Sequence, residues 1–126
     1  MEKTQELIKD LARAVERLGE ALLLPPEIIN QDATIQRFEF TFELSWKTMQ
    51  AILRDKVVDA YGIRTVIREA ARIGIIDDPV VWFKFLEHRN ISTHTYKEDE
   101  VRSIYKDIKD FPPLVKSLLA KIKDFE

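Results

Sequence analysis

Cysteine is absent from the chain, which excludes disulfides, thiol nucleophiles and thiolate metal sites. Histidine is nearly so: His88 and His94 stand six positions apart, too little to build a metal centre without other soft ligands. No metal and no cofactor are therefore expected. Glycine occurs three times and proline five times, so few breakers interrupt a chain rich in Leu, Ile, Ala, Glu, Lys and Arg, a mixture that favours long helices. Long apolar runs are missing too. No stretch approaches the roughly 18 apolar residues of a membrane span. The first twenty residues mix acids and bases where a signal peptide needs unbroken apolar chain. The expectation is a soluble, cytoplasmic protein with no membrane association.

What is present bounds the rest. A length of 126 residues suits one domain, spanning 1–126, and 45% hydrophobic residues supply its core. Charged residues make up 33% with a net charge of -2. That balance argues against coating nucleic acid by bulk charge and leaves room for a local basic site.

Leu7, Leu11, Ala14, Leu18 and Leu22 recur every three or four residues, one apolar stripe on a helix from about Thr4, its expected N-cap, to Leu23, stopped by Pro25 and Pro26. A second helix is expected from Asp32, with Ile35, Phe38, Phe42, Trp46, Met49 and Leu53 on its stripe. Phe40, Leu44 and Ile52 widen that stripe, which suggests a central helix with neighbours on several sides or, alternatively, a homodimer face. A short helix over Arg64 to Ile73 ends at Gly74, a natural C-cap. Asp78 as N-cap and Pro79 at the first position open a fourth, ending near His88 or Arg89. Asn90 to Tyr96 lacks a clean helical period and reads as a loop or an irregular turn. Val101, Ile104, Ile108, Phe111, Val115, Leu118, Ile122 and Phe125 then form a seam that keeps its phase across Pro112 and Pro113. A kink, or a break and restart along one line, is expected there. No segment alternates with period two. The fold class is all-α: an antiparallel up-and-down four-helix bundle with an additional short helix.

The run His88-Arg89-Asn90-Ile91-Ser92-Thr93-His94-Thr95-Tyr96 concentrates polar chemistry. Arg89 is a permanent cation suited to two-point contact with a phosphate. His94 can titrate near neutral pH and pass a proton. Together they are sufficient parts for cutting RNA without metal, the imidazole moving the proton of a ribose 2′-hydroxyl or of the leaving oxygen and the guanidinium offsetting charge on phosphorus. A plainer account makes the cluster a set of caps and turn formers. His88, at the helix end, suits the dipole and is given no catalytic role.

The same run resembles the Arg-x4-His-x-Tyr signature of HEPN domains paired with minimal nucleotidyltransferases. The stretch from Arg37 to Thr48, Arg-Phe-Glu-Phe-Thr-Phe-Glu-Leu-Ser-Trp-Lys-Thr, resembles the second helix of the branch named nucleotidyltransferase substrate-binding proteins, and Val66-Ile67-Arg68-Glu69-Ala70 followed by Gly74 also fits that branch. The likeness covers nearly the whole chain. It implies a helical bundle that forms homodimers, with two motifs facing one cleft. It implies a metal-independent ribonuclease toxin with Arg89 on phosphate and His94 as acid and base, neutralised by a minimal nucleotidyltransferase chain that can transfer AMP to Tyr96. Asn90 would orient the loop. An alternative interpretation of the family makes the helical subunit a non-catalytic holder of substrate for the nucleotidyltransferase. A third, plainer possibility is an interaction protein whose cluster only caps a helix. The chain has no Gly-Ser nucleotide loop followed by paired aspartates, so any nucleotide transfer comes from another chain.

Arg64, Arg68 and Arg72, four apart, make a basic stripe that could contact RNA or an acidic patch on the partner. The alternative is a solvated face balanced by Glu69, Asp77 and Asp78.

Overall fold

A computed structural model of the chain describes residues 2–93 and 97–125. Among the described residues there are six helices and no strand: α1 (Glu2–Leu22), α2 (Ile28–Asp55), α3 (Ile63–Ile73), α4 (Pro79–Ser92), α5 (Glu98–Ile108) and α6 (Phe111–Phe125). One buried apolar cluster draws side chains from all six, and none of the helices is long and apolar enough to cross a membrane.

The longest contact joins α1 to α2. Thr4 near the start of α1 donates to Asp55 at the end of α2 at 2.8 Å, and Arg37 Nη1 donates to the Arg17 carbonyl at 2.7 Å. Paired positions that rise in one helix as they fall in the other mean an antiparallel hairpin. Small side chains let the two approach: Ala14 and Ala21 are buried on α1, and Thr34, Thr41, Ser45 and Thr48 on α2. Burying hydroxyls is costly unless each finds an acceptor. Each does, on the carbonyl four residues back: Asn30, Arg37, Thr41 and Leu44 respectively. Such back-bonding satisfies the hydroxyl inside its own helix. Thr4 is therefore not the cap expected from the sequence. It lies inside α1, 3% exposed.

Aromatic rings make the centre. The Phe111 ring lies 5.0 Å from Phe85, 5.1 Å from Phe38, 5.5 Å from Trp82 and 6.0 Å from Phe42. Phe111 can stand there because the last long helix is broken, as one form of the expectation had it: α5 ends at Ile108, Lys109 and Asp110 make a turn, and α6 restarts. Pro112 and Pro113 occupy the first turn of α6, where a missing N–H costs nothing. The seam of Ile104, Ile108, Phe111, Val115, Leu118 and Ile122 is buried on both sides of the break.

Two further boundaries differ from expectation. α2 begins at Ile28, four residues before Asp32, because the carbonyls of Pro25 and Pro26 accept from the Asn30 and Gln31 side chains and Glu27 takes the extended N-cap position. Ile28 and Ile29 point outward, 71% and 81% exposed, so that first turn carries no apolar period. α4 runs on to Ser92, so Asn90, Ile91 and Ser92 are helical rather than a loop. The Thr93 hydroxyl donates to the Arg89 carbonyl at 2.7 Å, closing the extra turn. The aromatic excess of α2 also divides: Ile52 is buried and Leu44 packs on the core, whereas Phe40 is 64% exposed.

The expected caps of the middle of the chain hold. Gly74 ends α3 at φ 91°, with Ile75 N–H bonded to the Ala70 carbonyl. Asp78 accepts from Val80 N–H at 2.9 Å and Pro79 opens α4. The end of α2 repeats the geometry of Gly74 with a different residue. Val57 N–H bonds Arg54 and Val58 N–H bonds Leu53, leaving Val57 at φ 60°. A β-branched side chain in that left-handed position is strained.

Candidate functional site

The end of α4 lies antiparallel to α2, and the pairing fixes what meets there. Arg89 Nη2 donates to Glu43 Oε2 at 3.1 Å, and Ser92 Oγ lies 3.1 Å from Glu39 Oε2. Glu39 and Glu43 are one helical turn apart, as are Arg89 and Ser92. Glu43 reaches a second cation, Lys47, at 3.7 Å through its other oxygen. The guanidinium of Arg89 also donates to Asn90 Oδ1 at 3.0 Å. Asn90 thus contacts Arg89 from within the same helix. His94 and Tyr96, the two remaining residues singled out in the motif, lie outside the described residues.

Arg89 is 28% exposed and Glu43 34%. An ion pair open to water to this degree contributes about 0–1 kcal/mol. The guanidinium is therefore oriented by Glu43 and not locked to it, and an incoming phosphate can compete for the same donors in two-point geometry. Ser92, three residues on, has its hydroxyl between Glu39 and the Arg89 carbonyl at 3.0 Å. Nothing in the sequence singles out Glu39, Glu43 and Lys47 as neighbours of Arg89. They sit within the Arg37–Thr48 stretch, but their charge alone gave no sign that α4 packs across them.

His88 faces the other way. Its Nε2 lies 2.9 Å from Asp107 on α5, its side chain is 14% exposed, and Nδ1 is buried with no hydrogen-bond partner among the described residues. Lys84 shares the same carboxylate at 3.7 Å. The residue ties α4 to α5.

The basic stripe on α3 is not brought to Arg89. Arg64 and Arg68 stack over the Phe83 ring at 5.6 and 5.5 Å, and Arg64 lies 4.0 Å from Glu87. Phe83 and Glu87 occupy a different face of α4 from Arg89 at about 100° per residue. Arg72 pairs with Glu69. The balancing acids are thus Glu69 and Glu87. Asp77 and Asp78, expected to take part, are engaged with Lys121 and with the α4 N-terminus. Among the described residues no three of His, Asp and Glu gather as a metal site.

Residues 5–124 match the family described as nucleotidyltransferase substrate binding protein like. A Haemophilus influenzae protein named probable ribonuclease HepT is 39% identical over 82 residues, which cover 61% of this chain and 56% of that protein. The matched part is thus little more than half of that relative's length. A crystal structure from Thermus thermophilus superposes with TM-score 0.83 at 32% identity, covering 88% of this chain and 97% of the other. A Haemophilus influenzae structure, described as revealing the fold of a substrate binding domain of a nucleotidyltransferase, superposes with TM-score 0.70 at 30% identity, covering 97% and 98%.

Proposed function

The chain belongs to the nucleotidyltransferase substrate-binding protein-like family, and on that premise we propose that it is the HEPN subunit of a pair with a minimal nucleotidyltransferase, acting as a metal-independent endoribonuclease that the partner neutralises. The observation that carries this reading is Arg89: a partly exposed guanidinium, held in place by Glu43 and Asn90, five residues before His94. The name of the Haemophilus relative, probable ribonuclease, supports it.

In this mechanism Arg89 leaves Glu43 for the non-bridging oxygens of the scissile phosphate. His94 takes the proton of the ribose 2′-hydroxyl, whose oxygen attacks phosphorus. The bond from phosphorus to the 5′ oxygen breaks, a proton passes to that oxygen, and a 2′,3′-cyclic phosphate remains. A homodimer brings two such motifs to one cleft. AMP placed on Tyr96 by the partner would stand two residues from His94 and obstruct RNA by bulk and by negative charge.

A second reading keeps the same residues and removes the chemistry: the subunit presents substrate to the nucleotidyltransferase. The description of the Haemophilus structure as a substrate binding domain favours it. The deciding experiment is RNA cleavage by the purified chain with a chelator present, wild type against His94→Ala, with intact mass checking that Tyr96 is unmodified. Cleavage by the wild type alone, leaving cyclic phosphate ends, is expected. No cleavage by unmodified protein would transfer the assignment to the substrate-binding reading.

A further inference from the structure

Between α1 and α2, on the outside of the hairpin, runs an open groove of about 560 Å³, within the roughly 300–1,000 Å³ typical of ligand sites. Its charge runs against that of the chain. Three guanidiniums, Arg13, Arg17 and Arg37, line it against the single carboxylate of Asp10. Asp10 neutralises only Arg13, at 2.9 Å. Arg37 uses Nη1 on the Arg17 carbonyl, and among the described residues neither Arg17 nor Arg37 pairs with a carboxylate. A chain with net charge -2 thus concentrates unpaired positive charge in one place.

An aromatic ring stands in the same groove. Phe40 is 64% exposed while Phe38 and Phe42 beside it are fully buried. The Gln36 amide lies one turn before it on α2. Guanidiniums alone would suit any anion. Guanidiniums with an open phenyl face and an amide suit a phosphate chain whose bases are unstacked, because a base can lie on the ring while its phosphates meet the cations. The groove also shares α2 with the site described above. Phe40 precedes Glu43, the partner of Arg89, by three residues on the same helix, about 4.5 Å along the axis.

We infer that this groove is the grip for the single-stranded RNA segment flanking the cleaved bond, with Phe40 stacking one base and Arg17 and Arg37 holding adjacent phosphates, an assignment that rests on the ribonuclease reading. A duplex keeps its bases stacked inside and has no face to offer Phe40.

The test measures fluorescence anisotropy of a short labelled single-stranded RNA on the full chain carrying His94→Ala, at several salt concentrations, with Phe40→Ala or Arg17→Ala added. Both side chains are exposed, and circular dichroism checks that the fold is kept. Phe40→Ala is expected to weaken single-strand binding roughly tenfold and to leave duplex binding unchanged. Arg17→Ala is expected to weaken it and to lower the slope of log affinity against log salt by about 1. Unchanged single-strand affinity in both variants overturns the groove as an RNA site, and if the wild type still cleaves RNA the ribonuclease reading survives that loss. Weakened binding with no cleavage by the wild type keeps the groove and removes the ribonuclease. Light scattering covers the remaining case: a Phe40→Ala chain that changes its oligomeric mass, with Arg17→Ala binding RNA normally, makes this face a contact between protein chains and overturns the assignment.

Discussion

Arg89 and Glu43, 46 residues apart in the chain, meet at 3.1 Å where the last turn of α4 crosses α2. The contact converts two ordinary surface charges into an oriented cation with a displaceable partner, and it sets the outcome of the first substitutions.

Glu43→Gln keeps the shape of the side chain and removes its charge. Stability should change by no more than about 1 kcal/mol. RNA should bind several-fold more tightly, since phosphate no longer competes with a carboxylate for Arg89. A lower KM with a similar Tm is the expected pattern in steady-state kinetics and thermal melts.

Arg89→Lys retains the charge and loses the planar fork. An ammonium cannot hold two phosphate oxygens in the same geometry. Cleavage should fall at least about tenfold, by roughly one bidentate contact's worth of binding, while circular dichroism stays unchanged. Activity at the wild-type level would mean that Arg89 acts only as a positive charge.

Phe111→Ala empties the middle of the ring cluster formed with Phe38, Phe42, Trp82 and Phe85. A loss of about 3–5 kcal/mol is expected in urea denaturation. A loss below about 1 kcal/mol would mean that α6 repacks freely around the gap.

Asp107→Ala leaves His88 Nε2 in a largely enclosed place with no acceptor. The cost of such an orphan is about 1–3 kcal/mol. The double change with His88→Phe should recover part of it, since Phe needs no acceptor. Denaturation of the single and double variants reads the difference.

Val57→Gly places at the end of α2 the residue type that stands at Gly74. Relief of left-handed strain should outweigh the added backbone freedom and raise stability by roughly 0.5–1 kcal/mol. Thermal melts of the two proteins decide it.

Much of this molecule was legible in the sequence for physical reasons. Buried stripes at helical spacing, the Asp78-Pro79 start and the Gly74 stop are local signals, and each fell where local rules put it. The start of α2 was hidden because Ile28 and Ile29 face water, so periodicity had nothing to report. The last turn of α4 was hidden because hydroxyl residues read as turn formers until their oxygens are found within hydrogen-bond reach of the Arg89 carbonyl. Arg89 could be picked out by type. Its partners Glu39 and Glu43 depend on how α4 lies across α2, which no local signal carries. The Arg64, Arg68 and Arg72 stripe was visible as charge, while the Phe83 ring that two of its members stack upon was not.

The hydroxyls of Thr41, Ser45 and Thr48 close chiefly on their own helix, so the middle of the α1–α2 seam is held by shape with little directional bonding across it. Directional bonds lie toward its ends, at Thr4 with Asp55 and at Arg37 with the Arg17 carbonyl. Such a seam behaves like two smooth rods pinned near their tips. Loosening either pin should therefore fray that tip first, while the buried side chains between the pins keep the middle closed.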